Sequence, residues 1–159
     1  MFDFLNILRG HGLFSDIDVA FARFIGRNSD GDPSLMLLAA LVSNAVSVHG
    51  EVALPMERIG TRESLRRYLK ALSASEDKDA FSRESDTPLE LGFIDRMDGW
   101  PPKPDTFPHL FRECHPEPDK EFQPAPLILA NGLYYLGRTF QNEWFLNRIP
   151  AKYELKNAK

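Results

Sequence analysis

The stretch PLILANGLYYLGRTFQNEWFLNRI, residues 126–149, decides the fold more than any other part of the chain. Two apolar runs, residues 127–130 and 133–136, flank Asn131-Gly132, a dipeptide that readily adopts the positive φ angles of a type I′ turn. The sequence therefore predicts a β-hairpin. Beyond Gly137 the apolar positions change to helical spacing, at Phe140, Trp144, Phe145 and Ile149. A helix is expected directly after the hairpin.

Two helices are expected at the start of the chain. The first carries Phe2, Leu5, Ile7 and Leu8 and should end at Gly10 or Gly12, because glycine readily takes the left-handed conformation common at helix C-termini. The second should begin at Ser15, since a capping residue three positions later, Asp18, completes a capping pattern. Its expected core-facing stripe consists of Ile17, Phe21, Phe24 and Ile25.

A third helix should lie at the centre of the core. Asp32 suits its N-cap and Pro33 its first position, because proline has no N–H to leave unpaired there. Almost no polar face remains among its apolar residues, which are Leu35, Leu37, Leu38, Leu41, Val42, Ala45 and Val48.

The middle of the chain predicts one strand, one helix and a long loop. Residues 51–56 should form a short strand, because they alternate in character, and Pro55 confines this strand to a sheet edge or itself to the strand's last residues. Thr61 caps a fourth helix, whose core positions are Leu65, Tyr68, Leu69 and Leu72. Residues 76–123 are acidic and then rich in proline, so we expect a loop insert with at most one or two helical turns at residues 106–114.

Composition favours one globular domain of 159 residues without disulfides. The net charge of -4 argues against a large electrostatic surface for nucleic acid or an anionic membrane. A single cysteine, Cys114, fits a reducing compartment, and the N-terminus does not resemble a signal peptide. The longest apolar stretch, residues 35–48, is shorter than the roughly 20 residues needed to cross a bilayer. A cytoplasmic location without membrane contact is expected.

No catalytic, metal-binding or cofactor-binding residues are expected in this chain. The segment HLFRECH, residues 109–115, places two histidines near Cys114, but a closed zinc site needs about four ligands. His115 is a poor base for a Cys114 nucleophile, because adjacent side chains do not face each other. Surface histidines and a small buried thiol explain the pattern better.

Basic residues cluster on the fourth helix, at Arg62, Arg66, Arg67 and Lys70. Followed by a hairpin, this helix suggests a winged-helix module in which the basic face contacts DNA phosphates. A basic helix face is more often simply solvated, and the acidic Glu63 reduces the positive charge of this one.

On the hairpin, alternation places Tyr134 and Tyr135 on opposite faces, so one tyrosine is expected to be available to a protein partner.

Two ordered blocks, residues 17–56 and 126–149, resemble the N-terminal domain of RecD, the alpha chain of exodeoxyribonuclease V. The first block matches that family's Asp-Val-x-hydrophobic-Ala helix at residues 18–22, its Leu- and Ala-rich helix at residues 37–41, and its Gly-His-Val-x-Leu-Pro strand at residues 50–55. The second block matches the family's hairpin and its aromatic-x-x-Glu helix, here Phe140 and Glu143. Glu51 replaces the family's histidine.

The resemblance implies a non-catalytic docking domain whose partner is a RecC-like subunit of the helicase and nuclease complex. Partner contacts are then expected at Tyr134, Tyr135 and Glu143. The family's motor, with its ATP and magnesium, opens on a phosphate loop ending in Gly-Lys, a dipeptide this chain does not contain. We therefore expect either a truncated part of such a subunit or an isolated N-terminal domain, residues 1–159, in which the proline-rich insert has no clear family counterpart. The alternative is the DNA-binding module described above.

The expected fold is α+β and mainly helical. A helical N-terminal part should precede a small, three-stranded, winged-helix-like sheet that contains the hairpin and packs against the last helix.

Overall fold

The computed structural model describes residues 4–73, 89–114 and 124–140. Besides the helical residues 137–140 at the end of the last range, the helices are α1 (Phe4–Gly10), α2 (Asp16–Arg27), α3 (Pro33–Ser47), α4 (Arg62–Ser73) and α5 (Phe93–Arg96). The strands are β1 (Leu54–Pro55), β2 (Phe111–Glu113), β3 (Leu127–Ala130) and β4 (Leu133–Leu136), and a 3-10 turn spans Met56–Arg58. A helical N-terminal part thus precedes a small sheet, and the predicted α+β class is confirmed.

Helix α3 is the centre of the core, as its composition predicted. The Asp32 side chain caps it by accepting hydrogen bonds from the backbone N–H groups of Ser34 and Leu35, and Pro33 occupies the first turn. Six of the seven apolar positions expected in the core are buried, whereas the seventh, Val48, is 53 % exposed just after the helix ends. The expectation that Val48 belongs to the core was therefore wrong.

Helix α2 begins with the predicted capping box between Ser15 and Asp18. Its buried face differs from the expected one, because Val19, Ala22 and Ile25 lie against the core. The expected stripe was correct at Ile25 and wrong for much of its length: Ile17 and Phe24 are exposed and Phe21 is only partly buried. Helix α2 consequently carries two apolar stripes side by side, and only one of them packs fully inside.

Among the described residues the sheet has four strands in the order β1-β4-β3-β2, one more than expected. Strands β1 and β4 pair antiparallel, as do β4 and β3, whereas β2 runs parallel to β3. The strand expected over residues 51–56 is only two residues long, since the chain turns into a 3-10 segment directly after Pro55. Pro55 lies on an edge strand, as predicted.

Part of the proline-rich segment belongs to the core rather than to a loop insert. Strand β2 and helix α5 were not predicted. Residues 106–114 do contain one turn, in which the backbone N–H groups of Leu110 and Phe111 both donate to the carbonyl of Phe107. The Trp100 indole donates a hydrogen bond to the carbonyl of Ile59 (2.7 Å), and the Ser34 hydroxyl donates one to the carbonyl of Gly99 (2.6 Å). Its buried side chains are Leu91, Phe93, Ile94, Met97, Leu110 and Phe111. Residues 89–114 are thus built into the domain.

The predicted hairpin is confirmed. Asn131 and Gly132 have φ angles of 53° and 74°, as a type I′ turn requires, and β3 pairs with β4 from Leu127–Leu136 to Ala130–Leu133. Residues 137–140 are helical, which agrees with a helix directly after the hairpin. The remaining residues of that expected helix, Trp144, Phe145 and Ile149 among them, lie outside the described ranges.

Within the described ranges, no helix has both the length and the hydropathy that are needed to cross a bilayer.

Candidate functional site

The two hairpin tyrosines lie on opposite faces of the sheet, as alternation predicts. Tyr134 is 2 % exposed and packs on Phe111 with ring centroids 6.0 Å apart. Burial raises the pKa of its hydroxyl to about 12. Tyr134 therefore packs in the core, and its expected partner contact stays a prediction.

Tyr135 occupies the other face of the sheet and is only partly buried. Its ring meets Phe140 edge-on, with centroids 5.2 Å apart. It adjoins a small second cluster of Ala125, Ile128, Ala130 and Phe140, which Cys114 also contacts. Of the three expected contact residues, Tyr135 remains a candidate, and Glu143 lies outside the described ranges.

The exposed stripe of α2 borders a groove that the sequence did not predict. We call it the α2–hairpin groove: its walls are Ile17 and Phe21 of α2, Ser43 and Ser47 of α3, and residues 124–126 and 136–138 at the base of the hairpin. It encloses about 570 Å³ and is lined mainly by apolar atoms. Ile17 is 67 % exposed at its rim, and among the described residues that line the groove Arg138 alone has a charged side chain.

A buried polar network lies behind this groove. The carboxylate of Asp18, 0 % exposed, accepts hydrogen bonds from the Ser43 hydroxyl (2.6 Å), the Asn44 amide (3.0 Å) and the backbone N–H of Ser15 (2.9 Å). Asn44 also donates to the carbonyl of Leu13 (3.0 Å). The network fixes α2 against α3, because each hydrogen bond to the buried carboxylate relieves the cost of desolvating it.

The four basic residues of α4 fall into two pairs: Arg62 and Arg66 contact residues around α5, and Arg67 and Lys70 are exposed. The guanidinium of Arg62 donates to the backbone carbonyls of Ile94 and Met97 around α5, and Arg66 pairs with Asp95. Two of the four expected phosphate contacts therefore hold α5 in place, which weakens the cluster as a DNA-binding surface.

Glu51, which stands where the resembled family has histidine, forms an ion pair with Arg58. Arg58 Nη1 lies 2.9 Å from Oε1 and 3.2 Å from Oε2 of Glu51. This hydrogen bond is the main cause that raises the pKa of Arg58. The pair is partly exposed, so its contribution to stability is small, typically below about 1 kcal/mol.

The histidine and cysteine of residues 109–114 do not converge on one site. His109 lies near the backbone carbonyl of Asn28 and stacks edge-on with Phe107, whereas the backbone of Cys114 donates to Leu129 across the sheet. His115 lies outside the described ranges. Within those ranges no group of three or more histidine, cysteine or acidic side chains is placed to hold a metal ion.

A signal for the groove was present in the sequence. Ile17, Phe21 and Phe24 follow i, i+4, i+7 spacing, and so do Asp18, Ala22 and Ile25 one position later. Only one of the two stripes can face the core. The stripe that contains Asp18 is buried, because α3 supplies Ser43 and Asn44 as hydrogen-bond donors to its carboxylate.

Comparison with known protein families gives a match. The sequence model for the N-terminal domain of RecD, a subunit of the RecBCD enzyme, matches residues 10–135. The matched range extends from the end of α1 into β4 and includes the proline-rich segment. No curated protein and no solved structure matches the chain.

Proposed function

The chain belongs to the family of RecD N-terminal domains, and from this premise we propose that it is a non-catalytic docking domain. It serves a RecD-like alpha subunit in a complex of the exodeoxyribonuclease V type, which processes broken DNA ends in repair and recombination. Its partner in this proposal is the RecC-like subunit. Any ATP and magnesium chemistry belongs to motor domains, not to residues 1–159.

One observation carries the proposal: the exposed apolar surface formed by the α2–hairpin groove and the second stripe of α2. Exposed apolar patches with a polar surround commonly mark protein interaction sites in soluble proteins. Ile17 and Phe24, 67 % and 42 % exposed, lie about two helical turns apart on α2. Their burial against a partner would contribute roughly 25 cal/mol for each Å² of apolar surface removed from water.

A binding titration tests the proposal. The labelled 159-residue chain is titrated with purified RecB-like and RecC-like subunits from the same source, added separately and together. Saturable binding that requires the RecC-like subunit supports the docking function. Absence of binding to either subunit and to their mixture contradicts it.

The DNA-binding alternative remains a prediction with a weaker basis. Arg67 and Lys70 are exposed on α4, whereas Arg62 and Arg66 are engaged with residues 94–97. We expect any affinity for duplex DNA to be weak, independent of sequence and steeply reduced by salt, because phosphate contacts act through counterion release.

Fluorescence anisotropy at two salt concentrations checks that alternative. The double variant Arg67→Glu/Lys70→Glu should remove the weak affinity, and Arg27→Glu on α2 is the matched control. Tight duplex binding that persists near physiological salt and is lost in the double variant would favour DNA binding over docking.

A further inference from the structure

The α2–hairpin groove has a shape that is largely set before any ligand arrives. The backbone N–H of Gly137 donates to the carbonyl of Pro126 (2.7 Å), and a Cβ atom at Gly137 would collide with the carbonyl oxygen of Ala125. Pro124 and Pro126 restrict the same wall, since proline fixes φ. Binding to such a wall loses little conformational entropy, which favours affinity.

The opposite wall is also held in place. The Ser43 hydroxyl, which lines the groove, uses its one proton in the hydrogen bond to Asp18 (2.6 Å). Ser43 therefore offers the groove only an acceptor. The same Asp18 network joins α2 to α3. These two helices carry the groove residues Ile17, Phe21 and Ser47.

The apolar surface continues beyond the cavity. Phe24 does not line the groove, yet it follows Ile17 and Phe21 on the same stripe of α2 and is 42 % exposed. A small ligand would fill the cavity and leave Phe24 in water. An elongated occupant with apolar side chains at successive turns covers both, as an amphipathic helix does in a groove.

Charge specifies one end of that occupant. Arg138 is exposed at the groove and forms no ion pair with any residue of the described ranges. A carboxylate on the occupant would meet this guanidinium at the rim, where charge complementarity fixes register and speeds association.

We propose that the α2–hairpin groove binds an apolar, helical segment of the partner subunit that carries an aspartate or glutamate positioned against Arg138. This inference rests on the proposed docking function and names the surface that performs it. Ile17 and Phe21 are the apolar contacts in the groove, and Phe24 extends them along α2.

The test compares two groove variants with two matched surface controls in the titration against the RecC-like subunit. Ile17→Asp and Arg138→Glu should each weaken binding about tenfold or more, as loss of a central interface contact does. Val52→Asp, at an aliphatic residue that is 51 % exposed outside the groove, and Arg67→Glu should change it less than about twofold. Thermal melts of all four variants verify folding.

A photo-crosslinking residue at position 17 gives a readout that does not depend on the stability of Ile17→Asp. The proposal predicts a crosslink to one peptide of the partner, with apolar residues at helical spacing and an acidic residue nearby. A crosslink from position 52 to the same peptide, a crosslink between two copies of this chain, or no crosslink at position 17 overturns it.

The outcomes separate the two proposals. If the unaltered chain binds the partner and both groove variants bind equally well, the groove proposal fails and the docking function stands. If the unaltered chain does not bind the partner, both fail.

Discussion

Asp18 is the residue whose side chain joins α2 to α3. Replacing it with alanine leaves the buried donors of Ser43 and Asn44 and the N–H of Ser15 without their acceptor. Unsatisfied buried donors cost about 1–3 kcal/mol each, and partial relaxation makes the costs less than additive. We expect Asp18→Ala to lower the free energy of unfolding by about 3 kcal/mol or more in urea denaturation.

Ser15→Ala is the control for this prediction, because it removes the N-cap side chain and leaves the carboxylate bonds to α3 in place. It should cost only about 1 kcal/mol, a typical value for an N-cap. Equal losses in the two variants would mean that Asp18 acts only as a helix cap and does not join α2 to α3.

Tyr134 predicts a loss of stability at alkaline pH. Burial raises the pKa of its hydroxyl to about 12, above the ordinary value of about 10 that it regains on unfolding. Its contribution is complete below about pH 10 and is lost as pH rises toward 12, because the unfolded chain ionises first. The free energy of unfolding should therefore fall less steeply over this range in Tyr134→Phe than in the unaltered chain. Parallel pH profiles of the free energy of unfolding in Tyr134→Phe and the unaltered chain would contradict this assignment. Burial also raises the pKa of Tyr68, so Tyr68→Phe should make the profile less steep as well.

The hairpin and the helix after it depend on two glycines for different reasons. Gly132 has a φ of 74°, so Gly132→Ala should cost about 1 kcal/mol through backbone strain alone. A Cβ at Gly137 would collide with the backbone oxygen of Ala125, which cannot rotate away as a side chain can. Gly137→Ala should therefore destabilise more than Gly132→Ala.

Gly92→Ala is the matched control for both glycine variants. Its φ is -61°, and a Cβ there meets nothing within 4 Å, so the free energy of unfolding should hardly change. Urea denaturation measures the free energy of unfolding of the three variants, and the loss should be largest in Gly137→Ala and smallest in Gly92→Ala. A loss in Gly137→Ala no larger than in Gly92→Ala would show that the contact with Ala125 is not close in solution.

Elements with local causes were predictable from the sequence. The Ser15–Asp18 capping box, the Asp32-Pro33 helix start and the Asn131-Gly132 turn each lie within a few residues, and all three were confirmed. The two missed elements, α5 and β2, are four and three residues long, too short to show periodicity. Their stabilising contacts come from elsewhere in the chain: Arg62 binds carbonyls around α5, and β2 pairs with β3.

The candidate site was less predictable than the fold, because it depends on which of two adjacent stripes α2 turns inward. Periodicity alone could not choose between Ile17 and Asp18, since both begin an i, i+4, i+7 series. The choice rests on Ser43 and Asn44, which lie 25 and 26 residues further along the chain. Similarly, the spacing of Arg62 and Arg66 in the sequence is that of a solvated basic face. Only the structure shows that both side chains contact residues 94–97.

At the scale of the whole molecule, residues 89–114 should unfold together with the helical core. Their side chains share one hydrophobic cluster with α3, and Trp100 donates its indole N–H to Ile59 before α4. The chain has two tryptophans, Trp100 and Trp144. In Trp144→Phe the tryptophan fluorescence therefore comes from Trp100 and reports on this segment alone. In urea, that fluorescence and the helical circular dichroism signal should give coincident transitions, as one cooperative unit requires. A fluorescence transition at distinctly lower urea would show that the proline-rich segment detaches first, and would restore its interpretation as an insert on an independent core.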